Sequence, residues 1–231
     1  MGLFIAAGIT TALALCGVAL LFRRASDWRP LAVAFLVALP LQPLMMHAVR
    51  LPLDGLLRTT YGIAGWVTVV ALFYAPLTEE PAKWLTAAVP MVRRAIANHP
   101  VSLALAAGGG FGVGEVWFLA NALNTPDYAE LPVWNFGGFM LERLAVCFLH
   151  GAFLAPAFVA LARGRSFLVG GLVGMLMHFL LNFPIFLAQI DAFGLGGGWL
   201  TVLLIWMIGF LAICVVLTRH LARPYEATKG P

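Results

Sequence analysis

Thr78-Glu79-Glu80-Pro81-Ala82-Lys83-Trp84 sets two adjacent carboxylates and an ammonium inside an apolar run that extends from Tyr61 to Val92. Each ionised side chain at the centre of a spanning helix costs roughly 2.5–3.5 kcal/mol, unless it faces a partner or a wet cavity. The stretch therefore decides both the fold class and the place where function is sought. The surrounding chain must be a membrane protein that gives these three groups something to face.

Composition agrees. Of 231 residues, 62% are hydrophobic and only 10% charged, whereas a soluble domain carries about 25% charged residues. The mean hydropathy is +0.95. The expected fold is an all-α polytopic membrane protein, a single integral-membrane domain over 1–231 whose motif-bearing core covers about 61–190. The net charge of +4 does not indicate nucleic acid, because the basic residues stand at the ends of apolar runs, where they orient a chain in a bilayer. Cys16, Cys147 and Cys214 lie within apolar segments and act as small hydrophobes, so no disulfide is expected. The first apolar run reaches Phe22 without a basic segment before it, which predicts a retained first span rather than a cleaved signal.

Apolar runs place spans at about Leu3–Phe22, Leu31–Val49, Tyr61–Val92, Val101–Leu123, Phe136–Ala162, Phe167–Ile190 and Trp199–Leu217. The third is too long for one straight crossing and contains Pro76 and Pro81. It is either one long kinked helix or a span followed by a short second helix. With the N-terminus outside and the third run crossing once, Arg23, Arg24, Arg29, Arg93, Arg94, Arg163, Arg165, Arg219, Arg223 and Lys229 fall on one side, and Arg50 and Arg58 on the other. That asymmetry satisfies the positive-inside rule, and the alternative count of eight would scramble it. Seven crossings, N-terminus out and C-terminus in, are expected. Small-xxx-small pairs at Gly108/Gly112, Gly110/Gly114 and Gly170/Gly174 predict that the fourth and sixth spans lie in the bundle interior.

Few polar residues fall within spans, and several share a depth. Glu79 lies about 14 residues before Arg93, Glu115 about 15 after the inner end of its helix, His150 about 13 before Arg163 and His178 about 13 after Arg165. At about 1.5 Å per residue all four sit roughly 20 Å from the cytosolic edge. Glu79 and Lys83 share a helix face and are expected to pair, and His178 and Asn182 share another. Arg143 is placed to pair with a glutamate or to snorkel outward, and Glu142, near the outer boundary, suits an interfacial or structural role. Ionisable groups brought to one depth by four separate spans mark a candidate functional site rather than isolated structural residues. Glu and His are also zinc ligands, so a metal-dependent hydrolase is an alternative, although no His-Glu-x-x-His occurs. A proton-coupled transporter or channel would use the same residue types, but no internal repeat is present; a non-enzymatic scaffold is a further class.

Glu79-Glu80-Pro-Ala-Lys83, Phe111-Gly-Val-Gly-Glu115, His150 and His178-Phe-Leu-Leu-Asn182 together resemble, in order, the motifs of the CPBP superfamily of intramembrane glutamate proteases, which includes the CAAX-processing endopeptidases. Lys83 and Glu115, in place of Arg and His, are most similar to the PrsW-type branch, although Val116 stands where that branch often has Asn. The resemblance implies a glutamic-type endopeptidase. Glu79 or Glu80 would activate water, His150, His178 and Asn182 would stabilise the oxyanion and protonate the leaving amine, and Glu115 would orient water or a histidine, with Lys83, Phe111 and Arg143 in support. It implies no cofactor, a membrane-protein or lipidated-peptide substrate, the lipid bilayer as surroundings, and a prokaryotic cytoplasmic membrane as location.

Overall fold

The computed structural model describes residues 1–25, 27–62 and 65–223, and Lys229, one of the charges used to orient the chain, lies outside them. Apolar runs become helices at nearly the expected places: α1 (Gly2–Arg24), α2 (Arg29–Met45), α3 (Leu51–Tyr61), α4 (Gly65–Trp84), α5 (Pro90–Ile96), α6 (Pro100–Ala122), α7 (Pro126–Ala129), α8 (Gly137–Ala162), α9 (Phe167–Gln189) and α10 (Gly198–Leu221). No strand occurs among the described residues. Backbone groups in a bilayer must be satisfied within the segment, which is why long apolar runs resolve as helices. Six of the described helical stretches are long and apolar enough to cross a membrane: Gly2–Arg23, Arg29–Tyr61, Pro100–Ala122, Val133–Ala162, Phe167–Gln189 and Gly198–Leu221. The chain is thus built as a multi-pass membrane protein. α4 is the exception, its last turns carrying Glu79, Glu80 and Lys83.

Two boundaries differ from the sequence reading. The second helix does not end at Val49. A π-helical turn, Met46–Arg50, joins α2 to α3 into one stretch of 33 residues. Pro52 has no N–H and its ring crowds the carbonyl four residues earlier, so the wider turn just before it relieves the strain without ending the helix. The third run resolves in favour of two helices. α4 tightens into a 3-10 turn, Leu85–Ala88, and the chain breaks at Val89, which is extended (φ −69°, ψ 121°). Val89 precedes Pro90, and a residue before proline is pushed out of the helical region.

Glycine sets how closely the central helices approach. A Cβ on Gly108 would stand 1.9 Å from the backbone nitrogen of Gly151 on α8, and one on Gly110 would stand 2.1 Å from the Phe35 carbonyl oxygen on α2. α6 is therefore clamped between α2 and α8 with no side chain between the backbones. The expectation for the sixth span, α9, needs correction. Gly170 and Gly174 do abut α8, but most of α9 faces outward, and α8 is the second interior helix. α4 packs on α9 and α2, and α10 rests lightly on α8 and α9.

Candidate active site

α4 delivers the carboxylate pair into the middle of this packing. Glu79, Glu80 and Lys83 are all buried, with Glu80 and Lys83 fully out of solvent. Adjacent helical residues diverge by about 100°, so the two glutamates address different partners. Glu79 Oε1 accepts from Arg50 Nη1 at 2.7 Å, whereas Glu80 Oε1 accepts from Lys83 Nζ at 2.6 Å. The expected Glu79–Lys83 pair is therefore replaced by Glu80–Lys83. The helix tightens toward 3-10 geometry just past Lys83, and that winding brings residues three apart into line.

Lys83 is held from a second side. Its Nζ lies 3.1 Å from His150 Nδ1, and His150 Nε2 lies 2.9 Å from Glu115 Oε2. An ammonium can only donate, so Nδ1 accepts and the ring proton of a neutral His150 sits on Nε2, pointing at Glu115. Phe111 packs edge-on against His150 at 5.0 Å, and its face lies 5.3 Å from Lys83 Nζ, with Phe153 at 5.6 Å on another side. Glu115 also meets Arg143 Nη1 at 3.1 Å, and Arg143 pairs with its neighbour Glu142.

His178 closes the arrangement. Its Nδ1 donates to Glu80 Oε1 at 2.7 Å, and its Nε2 is turned to within 3.8 Å of Glu79 Oε2. Phe153 stacks against the ring at 5.2 Å and fixes its plane. The result is a continuous series of contacts from Arg50 through Glu79, His178, Glu80, Lys83, His150 and Glu115 to Arg143 and Glu142. It bends around a cavity of about 170 Å3 lined by Arg50, Glu79, Glu115, Arg143, His178 and Asn182, among others. Larger recesses between α1, α6 and α8 and between α9 and α10 are almost wholly apolar, so the polar chemistry belongs to this smaller one.

All nine residues singled out in the sequence lie in or beside this cluster. Glu79, Glu115, His150, His178, Asn182 and Arg143 line the cavity, and Glu80, Lys83 and Phe111 stand behind it. Asn182 lies on the wall with His178 but makes no side-chain hydrogen bond to a described residue. Among the described residues no group of three His, Cys, Asp or Glu side chains is arranged around a metal position. Sequence reasoning missed Arg50, which it placed with the boundary charges. One signal was present: Glu79, Glu80, Glu115 and Glu142 outnumber Lys83 and Arg143, which calls for another cation. Comparison with known proteins identifies no relative: no family model, curated protein or solved structure matches the chain.

Proposed function

We propose that the chain is an intramembrane endopeptidase in which a glutamate-activated water hydrolyses peptide bonds of membrane-embedded or membrane-proximal substrates. One observation carries this reading: Glu80 holds His178 by Nδ1 while His178 Nε2 and Glu79 Oε2 converge on one cavity. A buried carboxylate that holds an imidazole by one nitrogen, with the other nitrogen beside a second carboxylate at the cavity wall, puts two proton acceptors where a single water can be bound and deprotonated. Water lying against Glu79 and His178 gives a proton to Glu79 as its oxygen bonds to the scissile carbonyl carbon, whose π electrons move to the oxyanion. The C–N bond then breaks as the leaving nitrogen takes that proton. Glu80 and Lys83 set the geometry, and Asn182 is placed to donate to the oxyanion. His150, with both nitrogens occupied, links Lys83 to Glu115. The ordered resemblance to the PrsW-type branch supports the same reaction. Each carboxylate in the series already has a cationic or imidazole partner, which supports a mechanism without a metal.

The orientation belongs to the same proposal. α4 packs on α9 and α2 and turns an apolar face with Trp66, Phe73 and Leu77 outward, so it counts as a seventh crossing, with the N-terminus outside and the C-terminus inside. Substrates are membrane proteins or lipidated peptides, and the location is a prokaryotic cytoplasmic membrane.

The test is to compare single-pass membrane proteins in host cells carrying wild-type chain, E79Q, E80Q, H150A or H178A. Specific proteins should accumulate uncleaved in each variant while the variants reach the membrane in normal amounts. Unchanged processing in all four would remove the assignment. Cleavage by purified protein should survive a strong chelator, and its loss would select the metal-dependent reading. The linked His150, Lys83 and Glu115 would also suit a proton-coupled carrier, which proton flux into liposomes without peptide cleavage would reveal.

A further inference from the structure

Arg50 is the cation that the mechanism above leaves unused. It ends the π-helical turn Met46–Arg50. One extra residue in a helical turn rotates the side chains that follow by about 100° relative to a regular α-helix. Such turns occur often at functional sites. Here the turn aims a guanidinium from α2 at a carboxylate on α4, 29 positions along the chain. The contact uses Nη1, which also lies 3.9 Å from the Met46 sulfur. Nε and Nη2 make no hydrogen bond to a described residue, the Asp54 carboxylate one turn on acts on the guanidinium through its charge alone, and the side chain is only 22% exposed and lines the cavity. The other two cations of the cluster are committed: Lys83 is fully buried between Glu80 and His150, and Arg143 lies between Glu115 and Glu142.

We infer that Arg50 is a catalytic residue that holds Glu79 in the resting enzyme and meets the oxyanion of the tetrahedral intermediate with its remaining N–H groups. The inference rests on the peptidase reading. It follows from where charge moves. Before reaction the negative charge stands on Glu79, 2.7 Å from Arg50. When Glu79 takes the proton of the attacking water it becomes neutral, and the same unit of negative charge appears on the former carbonyl oxygen in the same small cavity. A cation touching both positions is compensated in both states. Donors fixed where charge develops stabilise the transition state without reorganisation. When the C–N bond breaks and the proton passes to the leaving nitrogen, the charge returns to the Glu79 side and Arg50 is again paired.

The experiment uses full-length protein reconstituted in lipid vesicles with the single-pass protein that accumulates in cells carrying E79Q. R50Q should lower kcat by about 100- to 1,000-fold, the effect of removing one oxyanion donor, with KM within about threefold of wild type. R50K, which keeps the charge but loses the forked geometry, should fall between the two. Millimolar guanidinium should restore part of the activity of R50A and none of that of E79Q. If R50Q and R50A do not fold, R50K alone decides, and a kcat equal to wild type overturns the inference. It is also overturned if R50Q keeps kcat within about threefold, or if the loss lies in KM with kcat unchanged. In those cases inactivity of E79Q leaves the peptidase reading standing. Activity in E79Q removes both.

Discussion

Glu80 illustrates how two adjacent, identical side chains acquire different work. Its Oε1 receives Lys83 and His178, and nothing of it reaches the cavity, whereas Glu79 lines the cavity and meets Arg50. Removing one partner of a fully buried pair strands the other charge and costs about 3–5 kcal/mol. K83M should therefore destabilise by about that amount in unfolding measurements on detergent-solubilised protein. E80Q/K83M should lose less than the sum of E80Q and K83M, because the second change removes the charge that the first left unpaired. Additive losses would mean that the two side chains do not act as a pair. At this scale the sequence was informative wherever an ionisable residue interrupted an apolar run, as with Glu115, His150 and His178. It was silent on Arg50, which stands at the end of such a run and reads as an ordinary boundary arginine. It also misassigned the partner of Lys83, because the choice between three and four residues of spacing depends on a local tightening that no side-chain pattern announces.

Among the elements, α6 is the one on which the others are aligned. It carries no ionisable side chain except Glu115, so its contribution is closeness: its glycines let α2 and α8 approach to backbone contact. Closeness determines whether Arg50 on one side and His150 on the other can reach the carboxylates. Gly108→Ala should push α8 away, destabilise the protein by about 1–3 kcal/mol, and reduce activity further than the stability loss explains, as His150 withdraws. Gly17→Ala on α1, where a Cβ meets nothing within 4 Å, serves as the comparison and should leave thermal stability and activity unchanged. Equal behaviour of the two variants would contradict the packing argument. Helix positions were legible because hydrophobic length determines them. The continuation of α2 through residue 50 into α3 was not, since the polar and proline-containing segment beyond Val49 reads locally as a connection.

For the whole molecule, the distribution of arginines is a statement about both faces of the bilayer at once. If orientation follows the positive-inside rule, a fluorescent reporter fused after Arg223 should fold and glow in the cytoplasm, and one fused after Thr125 should not. The reverse pattern would invert the molecule. The continuous series of contacts around the cavity also bears on how the chain is made. Synthesis runs from the N-terminus, so α4 emerges when Arg50 is its one available partner outside its own helix. Glu115, Arg143, His150 and His178 are still to be translated. Three ionised side chains would oppose insertion by up to roughly 10 kcal/mol before any pairing. If α4 is the seventh crossing, the Glu80–Lys83 pair within the helix offsets part of that cost, and the remainder favours insertion only once α8 and α9 supply the other partners. In nascent chains halted after α6 a cysteine placed in α4 should react with a water-soluble thiol reagent, and in chains halted after α9 it should not.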